Sequence, residues 1–140
     1  MPAQTEIPLS APKAKFTEAM VKTLVHTFYG RVREDAMLGP IFEEKLAGRW
    51  EPHLAKLVDF WSSIAMATGR YHGRPMPPHF NLGLEEEHFA TWLSLFEATA
   101  RDVCPPDAAA FFIDRAHRIA DSFQMNLGLG SKALRFPPRV

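Results

Sequence analysis

An all-α fold is predicted for this chain of 140 residues, on two observations. Apolar residues recur at three- and four-residue steps through four long stretches, and the strict alternation of a half-buried strand is absent throughout. A chain of about this length forms one domain, and at roughly 150 residues about 68–70% of the unfolded surface is buried, so a sizeable core is available.

The elements follow in order. The first fifteen residues, MPAQTEIPLSAPKAK, are broken by three prolines and hold no apolar h-region, so they read as an arm (1–15) and not as a signal peptide. Helix one, about 16–35, places Phe16, Met20, Leu24, Phe28 and Val32 at four-residue steps, widened by Val21 and Val25. Gly39-Pro40 is then expected to turn the chain. Helix two begins near Trp50, tolerates Pro52 in its first turn, aligns Leu54, Leu57, Val58, Trp61, Ile64 and Ala65, and ends at Thr68-Gly69.

Helix three, about 85–103, opens on Glu85-Glu86-Glu87, favourable charges at a helix N-terminus, and repeats Phe89, Trp92, Leu93, Phe96 and Val103. Helix four, about 106–127, follows Pro105-Pro106-Asp107 and carries Phe112, Ala116, Ile119, Ala120, Phe123 and Leu127. The domain is therefore expected over 16–128, with a tail over 129–140.

Sixteen basic residues balance sixteen acidic ones without long runs of either sign, which leaves no electrostatic footprint for nucleic acid or an anionic membrane. No stretch reaches the roughly 18 apolar residues of a membrane span. Cys104 is the single cysteine, so no intramolecular disulfide can form and a Cys-based zinc site is disfavoured. These features fit a soluble cytoplasmic protein with a small neutral or apolar ligand.

One segment departs from the helical pattern. GRYHGRPMPPHFNLGL (69–84) has three prolines and three glycines, more irregular chain than packing alone needs, yet it carries Tyr71, Met76, His79, Phe80 and Leu82. Pro77 and Pro78 deliver His79 from a stiff, non-helical lead. Two readings stay open for His79, a gripping ligand or an ordinary loop histidine.

Helical phase sorts the other histidines. His26 and His117 fall on polar faces and read as solvated; His88, in the acidic first turn of helix three, reads as structural; His72 is undetermined. His53 lies one turn before Leu57, on the side of Phe60 and Ile64, where an imidazole needs a hydrogen-bond partner or a ligand. Tyr29 and Trp92 pose the same question from the edge of helix one and the stripe of helix three. Each of the three, taken alone, is more often plain core than site; together with His79 they have the composition of a ligand pocket.

Cofactor chemistry narrows the occupant. No C-x-x-C or H-E-x-x-H supports zinc, and Glu85 with His88 forms only one of the two Glu-x-x-His copies a di-iron bundle needs. Haem asks for one protein ligand and an apolar, aromatic slot.

FYGRVREDAMLGPIF (28–42), WEPHLAKLVDFW (50–61), YHGRPMPPHFNL (71–82) and HFATWLSLFEAT (88–99) together resemble group III of the truncated haemoglobins, a family of bacterial two-over-two globins, over about 20–127. Groups I and II typically carry Gly-Gly pairs between helices, and this chain has none. The resemblance implies a two-over-two helical sandwich whose proximal segment is mostly loop. It makes His79 the proximal ligand of a haem b (iron protoporphyrin IX) iron, and Tyr29, His53 and Trp92 the distal polar residues. Phe42 would pack on the haem ring and Leu57 would form an apolar wall, with Phe60, Trp61, Tyr71, Met76 and Phe96 completing the pocket. Arg70, His72 and Arg74 are candidate propionate contacts.

The implied function is binding of O2, and of NO, CO, cyanide or sulfide, at the iron, more a carrier than a dedicated enzyme. A redox enzyme, an NO dioxygenase or peroxidase served by a separate reductase, is the alternative, since the chain is too short for a fused flavin domain. A haem-free helical interaction module, with Tyr29, His53 and Trp92 as core, is the third reading.

Overall fold

The computed structural model describes residues 15–68 and 84–128. Five helices make up the described residues, with no strand among them: α1 (Glu18–Glu34), α2 (Leu38–Leu46), α3 (Trp50–Met66), α4 (Glu86–Val103) and α5 (Pro106–Asn126). The all-α expectation holds. Helix one begins two residues later than the periodicity indicated because Thr17 caps it, its side-chain oxygen accepting the Met20 N–H at 3.0 Å.

Gly39-Pro40 does not turn the chain; both lie inside α2, a helix the sequence reading did not foresee. The start is set by Asp35, whose carboxylate accepts the backbone N–H groups of Met37 and Leu38 at 2.9 and 2.8 Å. Pro40 falls in the first turn, where a backbone N–H has no intrahelical acceptor and proline is tolerated. Gly39 is buried against the end of α1, and a Cβ there would stand 2.5 Å from the carbonyl oxygen of Arg33.

The remaining helices match expectation within a residue or two. Pro52 lies in the first turn of α3, which ends at Ala67 in the left-handed conformation (φ 54°). A capping box opens α4: Glu85 accepts from the backbone of His88, and the His88 ring accepts the Glu85 N–H at 2.7 Å. Pro106 is at the first position of α5, its favoured place.

Two helix pairs, α1 with α3 and α4 with α5, join through α1 against α4, while α2 packs on α1 and touches α4. The stripe of α1 supplies Val21, Leu24, Val25, Phe28 and Val32 to the interior. Arg31 fastens α1 to α4, pairing with Asp102 at 2.9 Å and donating to the buried Thr99 hydroxyl at 3.1 Å.

The buried residues fall into two clusters. The larger is centred on Phe28, Phe96 and Phe112; the smaller consists of Phe89, Ala120 and Phe123, with Trp92, Leu93 and Ile119 touching both. Residues of both clusters line a cleft between them.

The close approach at Gly39 yields a direct expectation. Gly39→Ala should destabilise the chain by about 1–3 kcal/mol, the range of an overpacked core site, because the Arg33 backbone cannot yield without bending α1. Gly30→Ala, on an exposed face where a Cβ meets nothing within 4 Å, should instead stabilise by about 0.5–1 kcal/mol. Chemical denaturation midpoints of the two variants separate the effects.

Candidate functional site

The space between the two clusters is a cleft of about 80 Å³. All five helices contribute to it. From α1 comes Tyr29; from α2, Leu38 and Phe42; from α3, His53, Leu57, Phe60 and Trp61. Leu84 precedes α4, which adds His88, Phe89 and Trp92, and α5 closes the wall with Ile119, Ala120 and Phe123.

Tyr29, His53 and Trp92 come together as one polar group in this apolar lining, although they stand on three different helices. The Tyr29 and His53 rings meet nearly perpendicular with centroids 6.1 Å apart. Burial pushes the Tyr29 phenol up to about 12, the hydrogen bond from Trp92 pulling the other way. Since the indole N–H can only donate, Trp92 occupies an acceptor site of the phenol oxygen and leaves the Tyr29 O–H as a donor. A phenol held neutral is a donor at every physiological pH.

The apolar candidates divide. Phe42, Leu57, Phe60 and Trp61 line the cleft, with the Phe42 ring 6.2 Å from that of Tyr29. Phe96 does not line it: this residue is fully buried behind the wall, stacked on Trp61 at 5.1 Å and on Trp92 at 5.6 Å, so it supports two lining rings from the back. His79, Tyr71, Met76, Arg70, His72 and Arg74 lie outside the described residues.

Several lining residues were not singled out in the sequence. Ile119, Ala120 and Phe123 carry the same helical periodicity as core residues, and periodicity cannot tell a side chain that packs on protein from one that faces a cleft. His88, expected to be structural, both closes the capping box and lines the cleft. His26 is exposed, and His117 is joined to Glu97 of α4. Among the described residues no group of three or more His, Cys, Asp or Glu side chains could hold a metal ion, and no helix is long and apolar enough to cross a membrane.

The chain is 34% identical over 108 residues to the group 3 truncated hemoglobin ctb of Campylobacter jejuni, a match spanning 74% of this chain and 85% of that protein. It also superposes on the crystal structure of a group III truncated hemoglobin from Campylobacter jejuni with a TM-score of 0.77 and 32% identity, covering 81% of this chain and 92% of that one. The chain belongs to the group III truncated haemoglobins. No family model matches it.

Membership in a haemoglobin family implies a haem that binds small ligands, and it sets aside the haem-free module. The described residues of this truncated haemoglobin fit that group: its core is divided by an apolar cleft whose polar side chains include the cluster of Tyr29, His53 and Trp92. Phe42, Leu57, Phe60 and Phe123 would hold the macrocycle by apolar contact. When bound, the haem supplies an iron able to take up a small ligand.

The raised phenol has a signed consequence for stability. The neutral form is favoured in the fold, so its contribution is complete below the ordinary tyrosine value of 10.0 and is lost as pH rises towards and through about 12. Between those values the unfolded chain releases a proton that the native chain keeps. Urea midpoints measured from pH 9 to 12 should therefore fall more steeply for wild type than for Tyr29→Phe.

Proposed function

We propose that this truncated haemoglobin binds haem b through His79 and reversibly takes up dioxygen, with NO, CO, cyanide and sulfide as further ligands. The observation that carries the reading is the meeting of Tyr29, His53 and Trp92 in an otherwise apolar cleft, with the phenol kept neutral by burial. A ligand that gains negative charge on binding is held by preorganised donors in such a site, while one that stays neutral gains little. Tyr29 donates, Trp92 fixes the phenol oxygen, and His53 stands beside Tyr29. His79 as the iron ligand rests on the family resemblance of the segment that carries it.

The test begins with a spectrum. Adding haemin to the chain should give a Soret band of histidine-ligated haem, and His79→Ala should abolish stable coordination while His53→Ala retains it. The reverse outcome would overturn the assignment of His79. Tyr29→Phe should speed O2 release about 10- to 100-fold, since a hydrogen bond to a charged acceptor is worth about 1.5–3 kcal/mol and each 1.36 kcal/mol is about tenfold. CO release should change much less.

Stopped-flow dissociation in wild type, Tyr29→Phe, Trp92→Phe and the double variant should be non-additive, as two groups sharing one acceptor are coupled. An unchanged O2 off-rate in Tyr29→Phe with haem intact would return Tyr29 to core packing. Sustained consumption of NO or peroxide with a reductant would instead assign the redox reading, with a separate reductase as partner.

A further inference from the structure

Trp50 stands outside the cleft, yet it is built onto one of the three polar groups. It opens α3 three residues before His53, the spacing at which side chains on a helix become neighbours. The two rings meet edge to face, 6.2 Å apart at 81°. Tyr29 meets the same imidazole at 6.1 Å and 88°. The half-buried His53 is thus in contact with one aromatic ring from its own helix and another from α1.

Trp50 is itself held from two other helices. Its indole N–H donates to the Glu43 carboxylate of α2 at 2.9 Å, which fixes the rotation of the ring, because an indole has no second polar atom to satisfy. The Arg33 guanidinium of α1 lies 4.4 Å over the ring centroid, a cation–π contact that fixes the plane. Arg33 and Glu43 pair with each other at 3.7 Å. Trp50 is 7% exposed while both charged side chains are about half exposed, so the ring is buried beneath an ion pair that faces solvent. None of Arg33, Glu43 and Trp50 lines the cleft.

We infer that Trp50 is a positioning residue for His53, its own orientation set by Glu43 and Arg33, so that this surface ion pair governs the ligand site through one histidine. The inference rests on the proposed reading that His53 faces the bound ligand. A packing residue with no such role would influence stability alone. A positioning residue alters what His53 presents to the ligand, and only while His53 is there.

The experiment uses haem-loaded protein with CO as probe, reading the C–O stretching band by infrared spectroscopy and the CO and O2 release rates. Trp50→Phe keeps a ring but loses the N–H and its bond to Glu43; Glu43→Ala removes the acceptor and leaves Trp50. Both should shift or split the C–O band and change O2 release several-fold, and neither should do so in a His53→Ala background. Equal spectral changes with and without His53, or no change in either, would overturn the inference, whatever happens to the unfolding midpoints. If wild type took up no haem, the proposed function would fail separately. The positioning claim would then be read in the haem-free chain, where Trp50→Phe and Glu43→Ala should both move the His53 imidazole signals in nitrogen-15 NMR, and unmoved signals would overturn it.

Discussion

Among the described residues, the apolar faces of five helices leave a cleft between two buried clusters. In a domain of this size the interior ordinarily reaches the packing density of an organic crystal, and each unfilled volume forfeits dispersion contacts along its lining. Here the two clusters around Phe28, Phe96 and Phe112 and around Phe89, Ala120 and Phe123 stay separate, bridged by Trp92, Leu93 and Ile119. The helices bury enough elsewhere to tolerate the gap: α1 is buried along its stripe, α4 and α5 pack along each other, and Arg31 binds α1 to α4. A ligand with large apolar faces would add dispersion contacts along this lining.

The polar cluster is defined by that apolar setting. A phenol, an imidazole and an indole N–H on a solvated surface would be exchanged among waters; inside the cleft each unmet hydrogen bond is costly, so the three groups are arranged against one another. Burial that raises Tyr29 to about 12 also keeps it a donor, and the indole of Trp92 determines which side of the phenol oxygen is occupied. Phe28 stands edge-on to Tyr29, Trp92 and Phe96, while Phe96 is stacked on Trp92, so the rings carrying two of the polar groups are placed by core residues with no chemistry of their own. The site is an extension of the aromatic core.

Much of this was legible in the residues. Four of the five helices and the all-α class follow from three- and four-residue periodicity, because a helix that buries one face repeats its apolar side chains at that spacing wherever it packs. Tyr29, His53 and Trp92 were identifiable as polar groups on apolar faces, and the family resemblance grouped them. The fifth helix escaped because nine residues show little periodicity and Gly39-Pro40 reads as a turn; the Asp35 carboxylate and the fit of Gly39 against Arg33 make it a helix start.

What the sequence by itself determined is which side chains point inward along each helix and which of those are polar, since both are properties of spacing and residue type. Tertiary structure alone decided which inward side chains meet protein and which meet the cleft. Phe96 and Phe123 repeat at equivalent places in their stripes, yet Phe96 lies behind Trp61 and Trp92 while Phe123 lines the wall. Tertiary structure also brought Glu43 and Arg33 onto Trp50, and Trp50 onto His53. The reason is geometric: periodicity fixes the direction of a side chain about its own helix axis, whereas its neighbours depend on how the axes cross, and that follows only when every face is packed at once.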